Sequence, residues 1–301
     1  MKKNSNLSIV ILNYNTKNLL KDCLLSLDKV KNEVSFEVIV TDNGSTDGSQ
    51  EMLKKDFSWV KLIENNANLG FAVGNNKAKD YCKAENVLFL NSDTIVHKGT
   101  LKKCLEYLHK NKKVGALTCK LDLPEGGVDK DARRSFPTPW ISLVHLVFGL
   151  DKIFPKSPVF AKYWYGYIPE DRVHEVDAIQ GAFFLTRKKI LDKVGWFDED
   201  YFLDGEDIDL CWKIKQAGWK IIYYPEVSII HLKGVTKGKN KKVKKRAPLA
   251  ERIKFRMSGV TSMEIFYRKR MWSKYPLPLN ILVIAGIKCL RVLRIIKLLL
   301  T

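Results

Sequence analysis

Val38-Ile-Val-Thr-Asp42-Asn-Gly-Ser-Thr-Asp47 is an unbroken apolar and β-branched run that ends in an acid and then a turn. Such a run, closed by Asn43-Gly44, reads as a strand buried on both faces and stopped by turn chemistry. Ser45 or Asp47 then stands where a helix starting at residue 49 needs a cap. Val87-Leu-Phe-Leu-Asn-Ser-Asp93 repeats the plan, with its acid just past the apolar residues. Working outward, apolar runs at 7–12, 36–40, 60–63, 87–90 and 114–117 alternate with helix-like stretches at 19–27, 49–55, 71–82 and 100–109. That alternation implies right-handed β-α-β crossovers, so an α/β protein with a mostly parallel sheet flanked by helices is expected. Asp42 and Asp93 then emerge at the carboxyl ends of strands, where open α/β sheets bind ligands.

Beyond residue 120 the pattern weakens. Six prolines from Pro124 to Pro169 break residues 121–172, although 140–150 is apolar enough for a short helix, and the segment reads as an insertion. A strand over 178–185, a helix over 188–194, a helix over 208–217 and strands at 220–223 and 227–231 follow. Residues 237–246 are a basic low-complexity run, after which helix is expected over 249–274. Residues 279–300 are apolar apart from Asn280, Lys288, Arg291, Arg294 and Lys297. Those four cations spread over half of a helix, which suits a helix lying in a membrane interface better than one crossing it, with a snorkelling span as the alternative. The expected organisation is a body at 1–235 carrying the 121–172 insertion, a basic flexible linker at 236–248, and a helical, membrane-associating tail at 249–301.

The 301 residues carry a formal charge of +19. From Lys233 onward there are 19 Lys and Arg against only Glu251 and Glu264, so the body before it is nearly neutral. A basic tail of this kind is attracted to polyanions, either an anionic membrane surface or nucleic acid. Six dispersed cysteines without a Cys-x-x-Cys pair argue against a disulfide scaffold or a zinc cluster and suit a reducing compartment. The N-terminus has too short an apolar run for a signal peptide. A cytoplasmic protein bound peripherally at the inner face of the cell membrane is the expectation.

Four features carry chemistry. Asp42 is placed to accept from an N–H edge of a base, and turn and cap duties account for the same segment equally well. Asn91-Ser-Asp93 leaves one acid beside the crevice, enough for a hard cation if a diphosphate supplies further ligands. His231 ends another apolar strand and offers a neutral imidazole ligand or a structural histidine. Tyr201-Phe-Leu-Asp-Gly-Glu-Asp-Ile-Asp-Leu-Cys211 holds Asp204, Glu206, Asp207 and Asp209, just after Asp200. The helix dipole explains an acid in the first turn, and acids held together favour a general base. Asn68-Leu-Gly-Phe-Ala-Val-Gly-Asn-Asn76 is a glycine-bearing loop whose spacing is not that of a dinucleotide fingerprint.

Together with Ser8-Ile-Val-Ile-Leu-Asn-Tyr-Asn15, Gly181-Ala-Phe-Phe184 and Gly195-Trp-Phe-Asp-Glu199, these segments resemble the inverting GT-A glycosyltransferases of family 2 over about residues 5–235. With Arg133-Arg-Ser-Phe-Pro137, the rhamnosyltransferase-like branch is the nearest match. The resemblance implies a GT-A, Rossmann-like fold with a basic helical extension. It also implies transfer of a sugar from a UDP- or dTDP-sugar to a hydroxyl of a glycan or lipid-linked acceptor in cell-surface polysaccharide synthesis. Asn13, Tyr14 and Asn15 would border the nucleoside, Asp42 would hold its pyrimidine, and Asn68 and Gly70 would approach from the adjoining loop. Asn91 stands where the family's D-x-D motif has its first acid, and Asp93 matches its last. Asp93 and His231 would hold Mg²⁺ or Mn²⁺, with one formal charge fewer than usual. Asp207 matches the catalytic base, Glu206 is its neighbour, and Arg133 and Arg134 would clamp phosphate or form a solvated pair. The expected reaction is a single displacement with inversion. A catalytically impaired glycan-binding protein of the same fold is the alternative. A nucleic-acid-binding protein ranks below both, because it leaves the strand-end acids unexplained, so no specific nucleic acid is expected as a partner.

Overall fold

The computed structural model describes residues 5–233 and 249–299. The basic run at 237–246 and all of the expected linker lie outside them. The elements are β1 (Leu7–Asn13), α1 (Lys17–Val30), β2 (Phe36–Asp42), α2 (Ser49–Asp56), β3 (Val60–Glu64), α3 (Phe71–Asn76), β4 (Asn86–Leu90), β5 (Thr94–Val96), α4 (Thr100–Lys110), β6 (Val114–Asp122), α5 (Pro139–Ser142), α6 (Leu150–Ile153), β7 (His174–Glu175), β8 (Phe183–Arg187), α7 (Lys188–Val194), α8 (Glu206–Gln216), β9 (Lys220–His231), α9 (Leu249–Phe266) and α10 (Leu277–Leu299).

One sheet runs β3-β2-β1-β4-β8-β6-β9-β5, with β7 also paired to β9. It is parallel from β3 to β4, as the alternating pattern requires. Beyond β4 it is mixed, because β8 inserts antiparallel between β4 and β6. β1, β4 and β8 are buried on both faces, which is why they read as apolar runs without alternation. Helices cover the sheet with stripes at helical spacing, such as Leu20, Cys23, Leu24 and Leu27 of α1. Five cysteines fill the core and Cys289 is exposed. Burial pushes the Cys23 and Cys82 thiols up to about 12, so they behave as small apolar groups.

The strand expected at 178–185 starts only at Phe183. Ala178 instead exchanges backbone hydrogen bonds with Arg134 (2.9 and 2.8 Å), and 179–182 leave the sheet to wall a cleft. The two strands expected at 220–231 are one. Pro225 has no N–H to give, and β6 passes it by a register jump from Tyr224 to Ser228. The helix expected at 71–82 ends at Asn76, followed by a 3-10 turn over Lys79–Tyr81.

The C-terminal helices dock on the acidic segment. Arg270 makes a two-pronged pair with the buried Asp209 (2.7 and 3.0 Å), and Lys269 reaches Asp198 (2.7 Å) and Asp200 (2.6 Å). Tyr267 donates to Asn280 Oδ1 at 2.6 Å, which pins the turn between α9 and α10. No helix among the described residues is long and apolar enough to cross a membrane.

Candidate active site

A cleft of about 210 Å³ opens at the carboxyl ends of β1, β2 and β4 and is lined by Tyr14, Asn68, Gly70, Asn91, Glu206 and Asp207 among others. Asp42 and Asp93 do not line it themselves; their neighbours Asn43 and Ser92 do. Three chain segments far apart in sequence therefore meet there, because parallel strands deliver their ends to one edge.

Asp42 is fully buried and held by three donors. It accepts from Asn13 Nδ2 (2.7 Å), the Ser45 N–H (2.8 Å) and Gln50 Nε2 (2.7 Å). Asn13 is its register partner across β1 and β2. Asn15 receives the Thr46 N–H at 2.8 Å, and Thr16 joins Asn13 to Ser92 through its hydroxyl (2.6 and 2.9 Å). Asn68 Oδ1 accepts the Gly70 N–H at 3.1 Å. Gly70 has φ 82° and ψ −177°, a conformation open essentially to glycine alone, and a Cβ there would stand 2.4 Å from the Phe202 carbonyl oxygen. The missing Cβ lets the loop lie against the acidic segment, where the Phe71 N–H bonds to the same oxygen at 2.6 Å.

The acids of 200–209 do not form one cluster. Asp204, Glu206 and Asp207 line the cleft, whereas Asp209 turns to Arg270 and Tyr201. Gly205, at φ 91°, turns the chain into α8 and sets Glu206 and Asp207 in its first turn. Asp207 is 6% exposed. It accepts from Arg134 Nη2 at 2.6 Å and from the Gly181 N–H at 3.3 Å. Arg134, expected at the phosphates or in solvent, is thus buried and committed to Asp207. Burial lowers its proton affinity and Asp207 more than restores it, so the guanidinium stays charged. Arg133 faces elsewhere, donating to the carbonyls of Ile168 (2.8 Å) and Pro169 (3.2 Å).

Thr94 and His231 are register partners between β5 and β9, which brings Asp93 and His231 together. His231 Nε2 lies 3.5 Å from Asp93 Oδ1, a buried oxygen with no hydrogen-bond partner. His231 Nδ1 donates to Asp129 Oδ2 at 2.8 Å, and Lys233 bridges Asp129 and Asp131. Burial pulls the His231 pKa down, but the hydrogen bond to Asp129 and the charge of nearby Asp93 outweigh it and raise the imidazole to about 9. The orphaned oxygen beside an imidazole whose other nitrogen is fixed by a carboxylate fits a cation site, provided a diphosphate or water supplies the remaining ligands. Among the described residues no group of three acidic, His or Cys side chains is arranged to hold a metal alone. Asp129 and Asp131 lie in the 121–172 segment, and no local pattern marked them.

The mixed sheet with its flanking helices has the GT-A-like architecture. The sequence model described as Glycosyl transferase family 2 matches residues 8–195, and the chain belongs to that family. It is 28% identical to the N-acetylglucosaminyl-diphospho-decaprenol L-rhamnosyltransferase of Mycobacterium tuberculosis over 246 residues, 78% of each chain. It is 26% identical to the rhamnosyltransferase WbbL of Escherichia coli, over 74% of this chain and 82% of that one. A solved mannosyltransferase from Pyrobaculum calidifontis, in complex with GDP-Man and Mn²⁺, superposes with a TM-score of 0.53. It covers 95% of this chain and 80% of that one at 16% identity, a likeness of fold.

Proposed function

We propose that this glycosyltransferase moves a hexosyl or deoxyhexosyl group, with inversion, from a nucleotide-diphosphate sugar to a hydroxyl of a lipid-linked saccharide. The observation that carries the reading is Asp207, buried at the cleft wall and aligned by Arg134. Asp207 takes the proton of the attacking hydroxyl, a role worth about 10²–10⁴ in rate. Glu206 lies beside it in the first turn of α8. Asp93 and His231 would hold Mg²⁺ or Mn²⁺, which when bound neutralises charge on the departing diphosphate. Asn13, Tyr14, Asn15, Asn68, Gly70 and Asn91 surround the donor. Donor binding replaces the Gln50 contact at Asp42 with the N3–H edge that uracil and thymine share.

The lipid-linked acceptor is supported by the named substrate of the mycobacterial relative. The basic C-terminal region adds attraction to an anionic leaflet, about 1 kcal/mol per Lys or Arg close to it, which supports a peripheral position at the inner face of the cell membrane.

The test is a panel of UDP- and dTDP-sugars screened by thermal shift with and without Mn²⁺, together with release of nucleoside diphosphate. Stabilisation by one donor class and release of its diphosphate are expected. Binding without release under any condition would favour the catalytically impaired reading that Asn91 motivates, and no binding by any donor would remove the proposal.

A further inference from the structure

An apolar groove of about 520 Å³ lies between the helical insertion, where Trp140, Leu143 and Val147 form one wall, and α10, where Leu282, Gly286 and Leu290 form the other. Val147 is 63% exposed and Leu282 68%, so this face leaves large apolar side chains in water. A patch of this kind marks a binding surface. Its connections identify the occupant.

A passage of about 180 Å³ lies between the groove and the active-site cleft. It shares Arg134, Asp204 and Gly205 with the cleft, and Leu146, Met263 and Phe266 with the groove. The three cavities therefore adjoin in a row, from the cleft that Asp207 lines to the apolar walls. Its chemistry changes in order along the way. Carboxylates for a sugar hydroxyl come first. Next come His145, paired with Asp151 at 2.8 Å, and Arg294, whose Nη1 would stand 3.5 Å from a Cβ on Gly259 at the passage wall. Asp204 Oδ2 lies 3.6 Å from that same point, which puts the guanidinium and the carboxylate both beside Gly259. Mostly apolar side chains follow, with Ser142, Tyr267 and Tyr275 among them. Lys288 and Arg291 add cations to the same helix.

We infer that the groove holds the apolar chain of a lipid diphosphate acceptor, with the diphosphate in the passage and the sugar at Asp207. This deepens the proposed function and rests on it. A second copy of the chain or a bilayer surface would cover the apolar face, but neither would use a passage leading to the catalytic carboxylate.

Gly286 supplies the test, because a Cβ built on it meets nothing within 4 Å. A Gly286→Phe side chain therefore projects into the groove without clashing at its root, and Gly286→Ala is the control. Calorimetric titration of the full chain compares farnesyl diphosphate with inorganic diphosphate. The wild type and Gly286→Ala should bind farnesyl diphosphate at least about tenfold more tightly, from burial of the chain. Gly286→Phe should erase that margin while keeping the thermal shift given by a nucleotide sugar. Equal affinity for the two diphosphates in the wild type, or an undiminished margin in Gly286→Phe, would overturn the inference. So would a wild-type dimer that Gly286→Phe dissociates, or equal competition by phospholipid vesicles free of diphosphate lipid. Donor thermal shift reads the proposed function separately, so loss of one result is distinguishable from loss of the other.

Discussion

Arg134 Nη2 stands 2.6 Å from Asp207 Oδ2, with both side chains almost fully buried. The pair links the start of the insertion to the first turn of α8 across 73 residues of sequence. A charged carboxylate inside a wall is tolerable only with its counter-ion present.

Arg134→Met should lower kcat by about 10² or more while changing donor KM little. Arg134→Lys should restore part of the rate. A purely structural role would lower the amount of folded enzyme and leave kcat per folded molecule where it is.

His231 makes stability depend on pH. Its folded pKa of about 9 lies above the unfolded value of about 6.5, so the folded state holds the proton more tightly. The stabilisation is fully present below the unfolded value and is lost as pH rises through about 9. The Tm of the metal-free protein should fall across that window, and His231→Gln should flatten the fall. Identical slopes in the two proteins would contradict the assignment.

Gly70→Ala should cost about 2–4 kcal/mol, from a backbone conformation closed to other residues and a clash with the Phe202 carbonyl. Denaturant titration measures it. A cost under about 0.5 kcal/mol, the range of ordinary surface changes, would mean that the loop shifts freely.

Arg270→Met leaves Asp209 buried without its cation. A destabilisation of about 3–5 kcal/mol is expected for such a broken pair. Limited proteolysis should then cut between the body and α9 sooner than in the wild type.

The strands bearing Asp42 and Asp93 were legible because strands buried on both faces are uninterrupted apolar runs. β5 and β7, of three and two residues, have no period to read. The antiparallel entry of β8 depends on pairing across the sheet, which no local window records. The same holds for the site. Asn13, Tyr14, Asn68, Asn91 and Asp207 sit in recognisable segments, but Asp129 meets His231 across 102 residues. The acidic segment looked like a single cluster because the cations that divide it, Lys269 and Arg270, lie some sixty residues further on.

The proposed role of Asp207 as the base of a sugar transfer is tested by comparing the wild type with Asp207→Asn. Transfer from the donor identified by thermal shift to a lipid-linked acceptor is followed alongside donor binding. Transfer should fall by about 10²–10⁴ with donor affinity unchanged within a few-fold. A variant that keeps most of its transfer activity would contradict the account.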